Sequence, residues 1–192
     1  MVRGWLVSLY KRGRERKQLI ILSLVFIILF VLFTAQVKAF IIIITLGVIA
    51  TFSTYYKRVF QAPPVFELMT LTTVAVSIFY GPFIGSLFTV VVSITSEVMA
   101  SAIDPFSVTY IPPRIATAFV APWLYANGMS LALIGFLMSA LYNALQQPVY
   151  WLLTDPEKRI KSIYFSSLNI PLNFLIFKFL GVPLFEILKR LV

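Results

Sequence analysis

The feature that most constrains this chain is that long apolar runs fill nearly all of it. A helix that crosses a bilayer needs about 20 mostly apolar residues. Only 12% of the residues are charged and 60% are apolar, whereas a soluble domain carries about 25% charged residues. The sequence therefore predicts an all-α, polytopic integral membrane bundle of six or seven transmembrane helices, multi-pass in the cell membrane. The predicted spans lie near residues 19–36, 39–56, 65–80, 84–101, 110–126, 129–153 and 163–186.

The N-terminal region is predicted to lie on the membrane surface. Residues 1–18 carry six basic side chains and one acid, Glu15, mixed with apolar and aromatic residues. Beside a membrane span, the expected partner of such a segment is anionic lipid rather than nucleic acid. Residues 19–192 are predicted to form a single transmembrane domain. The first run is longer than a signal-peptide core, and no cleavage pattern follows it.

The number of spans depends on the first two apolar runs, because only Gln36-Val37-Lys38 separates them. The pattern predicts a tight hairpin there, with a single bent helix or one span and a partial one as the alternatives. With seven spans, residues 1–18, 57–64, 102–109 and 154–162 share one side of the membrane. That side holds eleven basic residues outside the spans against three on the other. The positive-inside rule then places these loops in the cytoplasm.

Composition excludes several kinds of chemistry. The chain has no cysteine and no histidine, which excludes thiol catalysis, disulfides, haem ligation and nearly every zinc site. It also lacks the glycine-rich loop, ending in Gly-Lys-Ser or Gly-Lys-Thr, that binds ATP phosphates. We therefore expect no cofactor, no bound metal and no enzymatic activity in this chain.

Polar and charged residues inside the apolar runs are the candidate site. Charged groups at membrane depth cost several kcal/mol, so they are candidates for function. In an up-and-down bundle these residues fall toward one side, which predicts a polar cavity open toward loops 57–64, 102–109 and 154–162. The candidate substrate-binding residues are Glu67, Glu97, Asp104, Tyr110, Arg114, Tyr142, Asn143, Gln146, Asn169 and Asn173.

Roles follow from the chemistry of these side chains. Arg114 is the candidate ligand for a carboxylate or phosphate, and Arg114→Ala is expected to abolish binding without unfolding the protein. The amides and Glu97 suit polar edges, and Tyr110 or Tyr142 suits stacking. The alternative for all of them is helix packing, with a Glu–Arg pair joining helices. Glu67 has a further alternative as a solvated carboxylate near the membrane surface.

Small residues at four-residue spacing are candidates for docking a partner subunit, because they let helix backbones approach closely. Internal helix packing is the alternative for both pairs. The pairs are Gly81 with Gly85 and Ala140 with Ala144.

Three motifs resemble those of the S components of energy-coupling factor transporters, over residues 39–190. Gly81-Pro82-x-x-Gly85 resembles the turn between the family's second and third helices. Asp104-Pro105-Phe106, leading into Tyr110-Ile111-Pro112-Pro113-Arg114, resembles the loop before its fourth helix. Asn169-Ile170-Pro171-Leu172-Asn173 resembles the Pro-x-Asn pattern of its last helix. The resemblance implies six helices and a pocket that lies under loops 57–64, 102–109 and 154–162 and opens to the outside.

The first functional hypothesis is therefore a substrate-binding subunit for uptake of a small, water-soluble, vitamin-like micronutrient. The resemblance implies separate ATPase and scaffold subunits as partners. The second hypothesis is a non-catalytic membrane scaffold or assembly subunit, which predicts a tight protein partner and no small ligand. An intramembrane enzyme acting on lipid is disfavoured, because the chain has no paired-aspartate motif for metal–diphosphate chemistry and no histidine or cysteine.

Overall fold

The computed structural model describes residues 2–55, 66–100 and 109–192, without the side chains of residues 2–21, 31 and 32. Throughout these ranges the regular structure is helical, with no strand. The chain divides into two units, Met1–Ile42 and Ile43–Val192. The helices are α1 (Val2–Ser53), α2 (Met69–Tyr80), α3 (Pro82–Ala100), α4 (Ile111–Ala126), α5 (Leu131–Leu153), α6 (Pro156–Ile176) and α7 (Val182–Leu191), with a π-helical turn, Phe177–Gly181, between α6 and α7.

Helix α1 continues without a break through Gln36-Val37-Lys38. The predicted hairpin at these residues is therefore wrong, and the single-helix alternative is correct. The physical reason is local, because no glycine or proline occurs between Gly13 and Gly47, and a tight turn usually needs one. In the first unit, nearly all of the described side chains are exposed.

The other helix boundaries follow the turn signals in the sequence. Gly81 ends α2 at a φ of 95°, and Pro82 begins α3. Gly128 follows α4 at a φ of 78°. Both values lie in the left-handed region that glycine adopts without steric cost. Asp155 caps α6, because its Oδ1 accepts a hydrogen bond of 3.0 Å from the backbone N–H of Lys158.

Three helical stretches are long and apolar enough to cross a membrane, counted over the described residues. They are Leu22–Ser53, Pro82–Ala100 and Pro156–Leu191, with mean hydropathies of 2.6, 1.7 and 1.6. Helix α2 is also apolar, but its 12 residues span only about 18 Å. The predicted spans at 110–126 and 129–153 form helices α4 and α5. Helix α4 has 16 residues and is shorter than these three stretches, whereas α5 has 23 residues but is less apolar. The all-helical prediction is confirmed for the described residues.

The second unit buries polar side chains and exposes large apolar ones. Thr70 and Thr73 of α2 are 4% and 2% exposed, whereas Phe83 of α3 and Leu152 of α5 are 79% and 84% exposed. A soluble domain has the opposite arrangement, because exposing apolar surface to water is costly. Glu67, just before α2, and Ser77, on α2, are buried as well.

Candidate functional site

A buried ion pair joins the residues before α2 to the first turn of α4. The Nη2 of Arg114 lies 2.9 Å from Oε2 and 3.1 Å from Oε1 of Glu67. The two residues are 7% and 1% exposed. Thr70 donates a further hydrogen bond of 3.3 Å to the same carboxylate. Glu67 is therefore a buried, paired carboxylate, and the expectation that it is solvated near the membrane surface is wrong.

Tyr142 of α5 covers this pair, and Tyr110, the residue before α4, contacts α5 further along. The guanidinium carbon of Arg114 lies 4.6 Å from the ring centre of Tyr142, which is the geometry of a cation–π contact. Two turns further along α5, the ring of Tyr150 lies 6.2 Å from that of Tyr110. Arg114 and Tyr110, both predicted from the sequence, therefore pack on the face of α5 that carries the predicted Tyr142. Tyr150 was missed as a site residue.

Gln146 occupies the position between these two aromatic contacts. Residues 142, 146 and 150 are four apart along α5, so their side chains share one face of the helix. Gln146 is 5% exposed, and its Oε1 is buried without a hydrogen-bond partner in the described structure. A buried amide oxygen without a partner costs about 1–3 kcal/mol. The arrangement is therefore suited to a ligand that supplies the missing partner.

The remaining acids of the prediction have different outcomes. Glu97 is half-buried near the end of α3, and its charge lies within electrostatic range of Tyr110 and Tyr142. It therefore belongs to the same cluster as the Glu67–Arg114 pair. Asp104 lies outside the described residues.

A second polar cluster joins α5 to α6. Asn169 accepts a hydrogen bond of 2.6 Å from Ser139 and a longer one of 3.4 Å from Asn143. Asn173 donates to the backbone oxygen of Asn169 at 3.0 Å. Asn169 and Asn173 are 0% exposed. The structure thus brings together Asn143, Asn169 and Asn173 as predicted, on a different face of α5 from Tyr142.

Hydrogen bonds continue from this cluster toward the α5–α6 turn. Ser166 donates to Oδ1 of Asn143 at 2.7 Å. Gln147 donates to the backbone oxygen of Ser162 at 3.0 Å, and Ser162 donates back to Oε1 of Gln147 at 2.9 Å. Trp151 donates to the hydroxyl of Ser162 at 3.2 Å. Gln147, Trp151 and Ser162 were missed by the sequence reasoning. The available signal was helical spacing, because Gln147 and Trp151 are four residues apart on α5, and Ser162 and Ser166 are four apart on α6.

Two of the four small residues proposed for docking have roles within the chain. Gly85 is buried, and a Cβ there would lie 2.9 Å from Cα of Ser77, so Gly85 allows close packing of α2 on α3. Gly81 provides the turn between these helices. The roles of Gly81 and Gly85 are therefore internal to the chain, as in the helix-packing alternative. Ala144 is exposed and Ala140 is half-buried, so docking at these two residues stays a prediction.

Comparisons with protein-family models, curated proteins and solved structures give no match to this chain. The described residues hold no group of three or more acidic side chains placed to bind a metal ion. The chemistry of the site therefore rests on its own geometry. That geometry comprises one buried ion pair, tyrosine rings on one face of α5, and buried amides with unused acceptor atoms.

Proposed function

We propose that this chain is a membrane-embedded, substrate-binding subunit for uptake of a small water-soluble molecule of the vitamin or micronutrient class. Separate ATPase and scaffold subunits would complete the transporter. The observation that carries the proposal is Gln146, whose buried amide oxygen has no partner and lies between the Arg114–Tyr142 and Tyr110–Tyr150 contacts. Most buried polar atoms in native proteins have a hydrogen-bond partner, so an unpartnered one beside an ion pair and tyrosine rings supports a binding role.

The membrane setting is supported by the surface of the second unit. Large apolar side chains on α3, α5 and α6 are exposed, among them Leu87 at 67%, Leu152 at 84% and Tyr164 at 67%. Lipid tails accept such a surface, whereas water does not. Buried polar side chains then need partners inside the bundle, and the described hydrogen bonds provide most of them. We propose a multi-pass protein of the cell membrane.

An unbroken α1 changes the count of basic residues on each side of the membrane. If α2, α4 and α5 also cross, as the sequence predicts, a single crossing by residues 22–53 gives six crossing segments in place of seven. Eight basic residues then share the N-terminal side, against five on the side of the three loops. The positive-inside rule places the N-terminus in the cytoplasm and the loops outside. Loops that open outward agree with the uptake function proposed here.

The topology is testable because the chain has no cysteine of its own. Single cysteines replace Asn127, after α4, or Glu157, at the start of α6. In intact cells, a membrane-impermeant maleimide is expected to label Glu157→Cys, whereas Asn127→Cys is expected to react only after permeabilisation. These residues lie at opposite ends of α5, so labelling of both in intact cells would contradict a crossing by α5. The reverse pattern would place the site in the cytoplasm.

Isolating the protein from its own membrane tests the proposed binding function. Native mass spectrometry of the gently solubilised protein is expected to release a bound molecule of vitamin size. The alternative function is a non-catalytic membrane scaffold or assembly subunit, and it is favoured by the exposed small residues Ala140 and Ala144. That alternative predicts a stoichiometric protein partner and no small molecule. Detection of lipid alone would contradict the substrate-binding proposal.

A further inference from the structure

The unused hydrogen-bonding atoms of the core are mainly acceptors. In the described structure, the buried side-chain atoms without a partner are two amide oxygens, Gln146 Oε1 and Asn173 Oδ1, and two hydroxyls, those of Tyr80 and Ser93. An amide oxygen can only accept a hydrogen bond, whereas a hydroxyl can donate or accept. No amide or guanidinium nitrogen is among these atoms. At the two amide oxygens, a bound molecule would therefore have to donate.

The orientation of the Asn173 amide is fixed by its neighbours. Its Nδ2 lies 3.0 Å from the backbone oxygen of Asn169 and 3.4 Å from the hydroxyl of Ser139. A backbone oxygen only accepts, so the atom facing it must be the amide nitrogen. The unused atom of Asn173 is consequently the oxygen. Its residue is 0% exposed, so water from the bulk cannot replace the missing donor without entering the bundle.

The single described cation of the site is already neutralised. Both carboxylate oxygens of Glu67 lie within 3.1 Å of Nη2 of Arg114, and the ring of Tyr142 covers the guanidinium at 4.6 Å. The pair carries no net charge, and an entering anion would have to compete with the Glu67 carboxylate. Arg114 is therefore a poor ligand for a carboxylate or phosphate, in contrast to the role predicted from the sequence.

Aromatic rings give the site a preference in shape. The Tyr110 and Tyr150 rings meet at 6.2 Å, and Tyr142 lies two turns away on the same face of α5 as Tyr150. Rings of this kind pack against flat, apolar or weakly polar faces. The acceptor atom of Gln146 lies at the position between them. A flat molecule with donors on its edge would satisfy both kinds of surface at once.

We infer that the ligand is a flat molecule of zero or positive net charge that presents N–H or O–H donors, such as a ring bearing amino or amide groups. This inference rests on the proposed binding function and names the substrate class of the same site. It is tested with the full-length protein in detergent and a polar small-molecule extract of cells. The protein is washed to remove unbound compounds. The bound compounds are then released by denaturation and identified by mass.

The expected result is capture of a compound without a carboxylate or phosphate group. Gln146→Leu is expected to lower that capture by roughly tenfold or more. Ser167→Ala, which changes an exposed hydroxyl of α6, is the matched control and leaves capture unchanged.

Two results would overturn the inference, and they are distinct. If the wild-type protein captures a carboxylate or phosphate compound, and Gln146→Leu weakens that capture, the site binds anions and only the substrate class is wrong. If the wild-type protein captures no compound at all, the binding function itself is contradicted. Because identification is made on the wild-type protein, the test stands even where a variant fails to fold.

Discussion

Arg114→Ala is expected to destabilise the protein by about 3–5 kcal/mol and to remove ligand binding with it. The cause is the partner left behind, since Glu67 is 1% exposed and takes both of its described charged contacts from Arg114. The sequence alone predicts loss of binding with the fold intact. Burial of the pair changes that prediction, because an unpaired carboxylate in the core opposes folding. Thermal unfolding in detergent measures the loss of stability.

An exposed ion pair on α6 provides the control. Lys161 and Glu157 form a salt bridge of 2.6 Å, but their side chains are 59% and 79% exposed. Exposed pairs contribute little, because solvent screens them. Lys161→Ala is therefore expected to leave the unfolding temperature unchanged. The double change Glu67→Leu with Arg114→Met is expected to recover most of the lost stability without recovering binding. Unchanged stability in Arg114→Ala alone would contradict the described pair.

Asn169→Ala is expected to destabilise the protein by about 2–4 kcal/mol. Its side-chain oxygen accepts hydrogen bonds from Ser139 at 2.6 Å and Asn143 at 3.4 Å. Removing it leaves the buried Ser139 hydroxyl without its acceptor, at a cost of about 1–3 kcal/mol, and the cavity left by the side chain adds to that cost. Asn143 keeps its hydrogen bond of 2.8 Å to the backbone oxygen of Ser139. The unfolding temperature in detergent is again the measurement. An unchanged value would show that the α5–α6 cluster is held by apolar packing instead.

Ser167→Ala is the matched control for the Asn169 variant. Ser167 lies two residues earlier on α6, is exposed, and donates only to the backbone oxygen of Tyr164 at 3.0 Å in the described structure. Surface changes of this kind usually alter stability by less than about 0.5 kcal/mol. The contrast between the two variants separates the effect of the buried cluster from any general effect of changing a polar residue on α6.

The helices of the second unit were predictable because apolar runs indicate their extent and turn residues indicate their ends. Gly81 and Pro82 mark one boundary, and Asp155 and Pro156 mark another. The error in α1 has the same origin. Gln36 and Lys38 interrupt an apolar run, but both are good helix formers. Polar residues alone do not make a turn, so the helix passes through them.

Side-chain pairing was less predictable than helix position. Glu67 and Arg114 lie 47 residues apart, and nothing in the sequence indicates which charged residue each one meets. The asparagines of α6 were predictable as a polar face, because 169 and 173 are one turn apart. Their partner Ser139 and the unused oxygen of Gln146 depend on how α5 is rotated, which only the packed structure fixes.

We propose that a small molecule binds at Gln146 inside the helical bundle. The most direct test is native mass spectrometry of the wild-type protein and the Gln146→Leu variant, each released gently from the membrane in which it was made. We expect a bound molecule of vitamin size on the wild-type protein and a strongly reduced fraction on a variant that is equally folded. Equal occupancy in both proteins, or lipid alone on both, would contradict the claim.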